Sequence, residues 1–191
     1  MDSLANFLFE VGMLSRTPRS GYQFLGSGKE SVAEHVLRTV FVGYTLCKMD
    51  DSLDEFRVLK MCFLHDLPEA RTGDMNYVNK KYVHVDEEKA VSELTESLFF
   101  GDDIKAAIDE FNRKKTKESL IARDADQIAL ILQLKECGDL GNKYSEEWID
   151  FALQRLNTEN GKKLAERIIK TDSSQWWFKE KGSWWINANG R

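Results

Sequence analysis

Three histidines occur in the chain, His35, His65 and His84, few enough for each to be weighed. His65 is followed by Asp66 and preceded by the apolar run 61–64, so an acid stands near the end of an apolar helical stretch. A carboxylate there is costly to bury unless it is paired or bound to a cation. His35 shares a helix face with Val32, Thr39 and Val42, where a histidine is more often a packed core residue. Its pairing with His65-Asp66 points elsewhere. Two imidazoles and a carboxylate from two helices are the donor types of a borderline divalent metal such as manganese, iron, cobalt, nickel or zinc. A fourth donor would fix such a site while leaving positions open for water. The segment Ala122-Arg123-Asp124-Ala125-Asp126-Gln127-Ile128 offers two acids inside an otherwise apolar helix. One of them is expected to face a cation, against the blander reading that both face solvent or pair with Arg123. His84, between Val83 and Val85, is expected to face solvent or pack.

The elements that must carry these residues are helical. Leu4, Phe7, Leu8, Val11 and Leu14 fall on one face of a first helix. The segment 16–29 holds Pro18, Gly21, Gly26 and Gly28 and reads as a loop. Ser31 with Glu34 three residues later is a capping box, which starts a second helix running to about Lys48. Asp54 caps a third, with Val58, Met61, Cys62, Leu64 and His65 on its apolar face and Pro68 and Gly73 at its end. Beyond a variable stretch, 76–85, the spacing predicts helices over 86–99, 102–114, 117–136 and 145–170. With no strand-like alternation, internal repeat or low-complexity run, the chain reads as one all-α domain, 1–191, of about six or seven helices. Its core should cover about 14–170. The tail, 171–191, holds Trp176, Trp177, Trp184 and Trp185. Exposed tryptophan pairs would leave a costly apolar patch, so they are expected to pack on the domain or on a partner subunit.

Composition narrows the function classes. With 191 residues, 42% hydrophobic and 31% charged, the chain is long and apolar enough for a buried core, which excludes disorder as a whole-chain description. A formal charge of −5 argues against non-specific binding of a nucleic-acid polymer. The uncharged stretch 39–47 is too short to cross a bilayer, and no basic segment precedes Glu10, so neither a membrane anchor nor a secretory signal is expected. Cys47, Cys62 and Cys137 are odd in number and lie in apolar helical patterns, which suits reduced thiols in a cytoplasm.

In order, His35, then His65-Asp66, then Asp126 resembles the H…HD…D ligand set of the HD-domain metal-dependent phosphohydrolases. Four stretches extend the resemblance to that superfamily's deoxyribonucleoside 5′-monophosphatases: Leu14-Ser15-Arg16-Thr17-Pro18-Arg19-Ser20-Gly21, Glu30-Ser31-Val32-Ala33-Glu34-His35, His65-Asp66-Leu67-Pro68-Glu69-Ala70-Arg71-Thr72-Gly73-Asp74, and Asp124-Ala125-Asp126. They span roughly 14 to 135. The resemblance implies an HD-domain helical bundle with one divalent ion held by His35, His65, Asp66 and Asp126. It implies Glu69 as the proton-transferring acid, Asp74 as its assistant, and Arg19 as the phosphate-binding residue, with Arg16 the lesser alternative and Lys29 a helper.

The physical chemistry agrees with those roles. Glu69 lies about one helical turn beyond Asp66, so both carboxylates can face one opening. Gly73 allows a tight backbone before Asp74, and a guanidinium can hold phosphate oxygens in a bidentate manner. The implied activity is removal of the 5′-phosphate from nucleoside 5′-monophosphates, the deoxy forms foremost, by water activated at the metal. Hydrolysis of nucleoside triphosphates or other phosphate esters, and a non-catalytic nucleotide-binding domain, are the competing readings. One departure stands out. Some members follow the substrate arginine with an aromatic residue that rejects the ribose 2′-hydroxyl; here Ser20-Gly21-Tyr22 follows, leaving Tyr22 to act from a shifted position. Two-metal members carry additional histidines that this chain lacks, so one ion per subunit is expected. Family habit and the tryptophan tail suggest a homo-oligomer, a dimer foremost.

Overall fold

The Ser31 hydroxyl accepts from the Glu34 amide at 3.2 Å, the Glu34 carboxylate accepts from the Ser31 amide at 2.7 Å, and the helix begins at the next residue, as the spacing predicts. This helix is α3, Val32–Cys47, of a computed structural model that describes residues 1–179 and 182. Before it come α1, Asp2–Val11, a 3₁₀ turn, Gly12–Ser15, and a short α2, Tyr22–Leu25. After it come α4, Glu55–Leu64, the short α5, Glu69–Thr72, and α6, Asn79–Tyr82, then α7, Glu87–Thr95, and α8, Gly101–Arg113. The chain continues through α9, Lys117–Asp139, α10, Tyr144–Leu153, α11, Glu159–Ile169, and α12, Gln175–Phe178. Among the described residues there is no strand, only an isolated bridge between Pro18 and Ser31. The fold is all-α, as expected.

Helix α9 is the axis. Ile121, Ala122, Asp124, Ala125, Ile128, Ala129, Ile131 and Leu134 are all buried, because α3, α4, α8, α10 and α11 pack around it. A helix apolar on most of its circumference must be enclosed in this way. The approach of α3, α4 and α9 depends on Gly43: a Cβ there would stand 2.7 Å from Cys62 Sγ and 3.7 Å from the Ala125 Cβ. These three helices carry the histidines and acids weighed above.

Several expectations are corrected. The span 145–170 is not one helix but α10 and α11, broken over 154–158, so the six or seven predicted helices become, among the described residues, eight of nine residues or more. The break is held by Asp124. Its fully buried carboxylate accepts from the Asn157 amide at 2.7 Å, the Thr158 amide at 2.8 Å and the Thr158 hydroxyl at 2.6 Å, drawing those donors out of any continuous helix. The loop 16–29 contains α2, and the stretch 76–85 contains α6. Leu8, assigned to the buried face of α1, is 69% exposed. In the tail, Trp176 is 86% exposed within the single chain, which leaves its surface open to a partner subunit, while Trp184 and Trp185 lie outside the described residues. Cys47, Cys62 and Cys137 are free thiols. No described helix is long and apolar enough to cross a membrane.

Candidate active site

The α3 cap places His35 one turn into the helix, fully buried, with Nε2 3.0 Å from Asp126 Oδ1 in the middle of α9. His65 closes α4. Its Nδ1 lies 2.9 Å from the Cys62 carbonyl, and a carbonyl only accepts, so that nitrogen carries a hydrogen and Nε2 is turned to the cluster. Asp66 follows at the helix end, with Oδ2 3.2 Å from His65 Nε2 and 3.7 Å from His35 Nε2. The donor atoms of His35, His65 and Asp126 all lie within 4.8 Å of one another. The four residues from three helices therefore meet.

The chemistry of this cluster asks for positive charge at its centre. His65 Nε2 and Asp66 Oδ2 are buried, and neither finds a hydrogen-bond partner of good geometry. Two facing acceptors repel unless a proton or a cation stands between them. Burial disfavours a charged His65, but Asp66 and Asp126 outweigh it and raise its pKa. Burial likewise works to raise Asp66, yet His65, His35 and Arg19 pull its pKa down to about 2. Asp126 is held well below the usual carboxylate range, its burial overcome by the His35 hydrogen bond and the charges of His35, His65 and Arg19. Two imidazoles and two ionised carboxylates with unpartnered atoms fit a divalent ion.

Beside the cluster lies a cavity of about 460 Å³, lined by Arg19, Tyr22, Glu69 and Asp74 as well as by His65, Asp66 and Asp126. That volume suits a small-molecule site. Arg19 Nη1 stands 3.5 Å from Asp66 and 3.4 Å from Asp74. The Asp74 carboxylate also accepts from the Ser20 hydroxyl at 2.9 Å, so it ties the arginine loop to the residue after Gly73, whose φ is 73°. Glu69 opens α5. Burial first, then the charges of Asp66 and Asp74, push its pKa up to about 10, so it carries a proton at neutral pH. Tyr22 lines the wall from α2, and burial raises its hydroxyl pKa. Arg16 and Lys29 are exposed and do not line the cavity. His84 is exposed and stands apart from the cluster.

Sequence reasoning missed the far wall. Trp148 on α10 and Tyr77 pack edge to face with centroids 5.9 Å apart, and the Arg155 guanidinium lies 4.4 Å over the Tyr77 ring. A Cβ at Gly21 would stand 2.8 Å from the tip of the Trp148 ring. The small residue near Arg19 thus makes room for an aromatic delivered from α10. The available signal was Gly21 itself, together with a lone tryptophan far from the tail. Lys80, Lys114 and Arg123 also line the cavity unforeseen. The alternatives for Asp124 are corrected: it neither faces a cation, nor reaches solvent, nor pairs with Arg123, but holds the α10–α11 turn.

The sequence model of a family described as HD domain matches residues 11–169. The 5′-deoxynucleotidase HDDC2 of Bos taurus is 31% identical over 149 residues, covering 74% of this chain and 71% of the relative. The 5′-deoxynucleotidase hdd1 of Schizosaccharomyces pombe is 30% identical over 144 residues, 70% of this chain and 72% of its own. Among solved structures, a conserved hypothetical protein from Pyrococcus furiosus superposes with a TM-score of 0.76 at 26% identity, covering 87% of this chain and 99% of that one. A protein described as a predicted metal-dependent phosphohydrolase from Magnetospirillum magnetotacticum shares the fold, with a TM-score of 0.69 at 19% identity over 88% of this chain and 93% of its own.

Proposed function

This chain belongs to the HD-domain family, and from that premise we propose that it is a metal-dependent phosphohydrolase removing the 5′-phosphate from nucleoside 5′-monophosphates, the deoxy forms foremost. The observation that carries the reading is the meeting of His35, His65, Asp66 and Asp126 on the wall of a cavity that also holds Arg19 and a protonated Glu69. One divalent ion, of manganese, cobalt, iron, nickel or zinc, would be held by the first four residues, where it supplies a Lewis acid for the phosphoryl group and activates water near neutral pH.

The remaining residues divide the work by their surroundings. Glu69, whose pKa burial and the charges of Asp66 and Asp74 push up to about 10 in the metal-free site, is the acid that would give a proton to the leaving 5′-oxygen. Asp74 holds the Arg19 loop through Ser20 and, by its charge, helps keep Glu69 protonated. Arg19 contacts phosphate oxygens from the cavity wall. Trp148 and Tyr77 offer an apolar face to the nucleoside, Trp148 standing where a neighbour of the substrate arginine would stand. Tyr22 closes the same wall from α2.

The test is a nucleotide panel on the metal-loaded protein. Inorganic phosphate from dAMP, with less from AMP, supports the reading; triphosphate release from deoxynucleoside triphosphates overturns it. We also propose a cytoplasmic setting, in keeping with three free thiols. A homodimer is proposed as well: Leu37, Phe41 and Tyr44 expose an apolar stripe on the outer face of α3. Sedimentation at monomer mass would exclude it.

A further inference from the structure

Two cations stand beside the cluster outside any ion pair among the described residues, with only the charge of Asp126 acting in favour of one of them, Lys114. Arg123 precedes Asp126 by one turn on α9, its guanidinium 4.6 Å over the Phe111 ring, and Phe111 packs on His65 with centroids 4.8 Å apart. Lys114 follows α8 and lines the same cavity. The nearby charge of Arg123 is the main influence on Lys114 and lowers its pKa. Arg19 lies between Asp66 and Asp74, whereas neither Lys114 nor Arg123 makes an ion pair among the described residues.

The backbone adds an independent sign. Lys114 has φ 54° and ψ 39° and is the one non-glycine residue with positive φ among those described. A left-handed residue ending a helix is usually glycine or asparagine, because a larger side chain strains that conformation. Strain and like-charge repulsion thus coincide at one point of the cavity wall, a pattern typical of places where a ligand supplies the compensation.

Chemistry says which ligand. Lys114 and Arg123 line the cavity that holds the cluster and make no ion pair among the described residues, and a planar guanidinium beside an ammonium matches phosphate oxygens.

We propose that Lys114 and Arg123 form an anion-binding subsite on the Asp126 side of the cluster that takes the substrate's phosphate group and the inorganic phosphate product. The inference rests on the nucleotidase reading for its substrate, though its affinity for phosphate is measurable without turnover. The probe is inorganic phosphate, titrated into the metal-loaded protein by calorimetry. Lys114→Met and Arg123→Met should each weaken phosphate binding about tenfold and raise KM for dAMP similarly, with kcat changed less; Lys114→Arg should restore most of both. Lys114→Gly separates site from scaffold: Tm should rise by about 2–4 °C as the strain is relieved, while phosphate binding falls as in Lys114→Met. Phosphate affinity and KM within twofold of wild type in the methionine variants would overturn the subsite and leave the nucleotidase reading intact. Lysine-dependent phosphate binding, with no phosphate released from any nucleotide, would uphold the subsite and overturn the nucleotidase reading.

Discussion

Asp124 and Asp126 stand two residues apart on α9 and serve regions that differ in what they lack. Around Asp124 every donor finds an acceptor: the amides of Asn157 and Thr158 and the Thr158 hydroxyl all reach its carboxylate within 2.8 Å. Around Asp126, buried acceptors on His65 and Asp66 face one another unpartnered. A satisfied buried acid holds a fold together, whereas an unsatisfied cluster is poised for something the chain does not itself supply. The contrast separates scaffold from site along a single helix.

The sharpest way to break this contrast is to remove each acid in turn. Asp126→Ala should abolish metal retention, read by elemental analysis, and cut phosphate release by roughly three orders of magnitude or more, about 4 kcal/mol. Its folding stability should fall by only about 1 kcal/mol, the loss of the hydrogen bond to His35. Asp124→Ala should do the reverse. Buried donors left without an acceptor should lower unfolding free energy by about 3–4 kcal/mol in a denaturant titration. Equal stability losses in the two variants would erase the distinction.

A finer cut lies within the reactive region. Glu69→Gln should keep metal content and lower kcat by about two orders of magnitude, since the amide cannot transfer the proton. The same residue makes a pH prediction for the metal-free protein. Its pKa rises on folding to about 10, so its folded form favours the proton. Stability from this group is therefore fully present below its unfolded pKa and declines as pH rises toward 10. Glu69→Gln should flatten that decline and be more stable than wild type at pH 8 by on the order of 1–3 kcal/mol. Parallel stability–pH curves for the two proteins would contradict the buried, protonated carboxyl.

How much of this was legible follows from the same contrast. His35 and His65-Asp66 could be read because each breaks a local rule, a polar group where the period demands an apolar one, and the structure brings both to one point with Asp126. The capping boxes and helix periods are short-range physics and survive folding. Asp124 and Asp126 could not be told apart from pattern, since both are acids inside an apolar helix and only tertiary neighbours decide which is satisfied from within. The break between α10 and α11 was illegible for the same reason, its stabilising acceptor lying on α9, over thirty residues away in sequence. Lys114 left no pattern because its oddity is a backbone angle.

The smallest expected effect joins the two regions. Asp124 fixes the turn after α10, and α10 carries Trp148 to Gly21 beside the arginine loop, so the scaffold acid sets the position of the aromatic wall. Trp148→Leu should leave metal content and kcat near wild type and raise KM for dAMP by about three- to tenfold, about 1 kcal/mol of ring contact. Asp124→Asn, which keeps a hydrogen-bonding group at the turn, should shift KM in the same direction by less. If Trp148→Leu instead lowered kcat with KM unchanged, the ring would be acting on the reacting phosphate, and the division of the cavity into a charged end and a nucleoside end would fail.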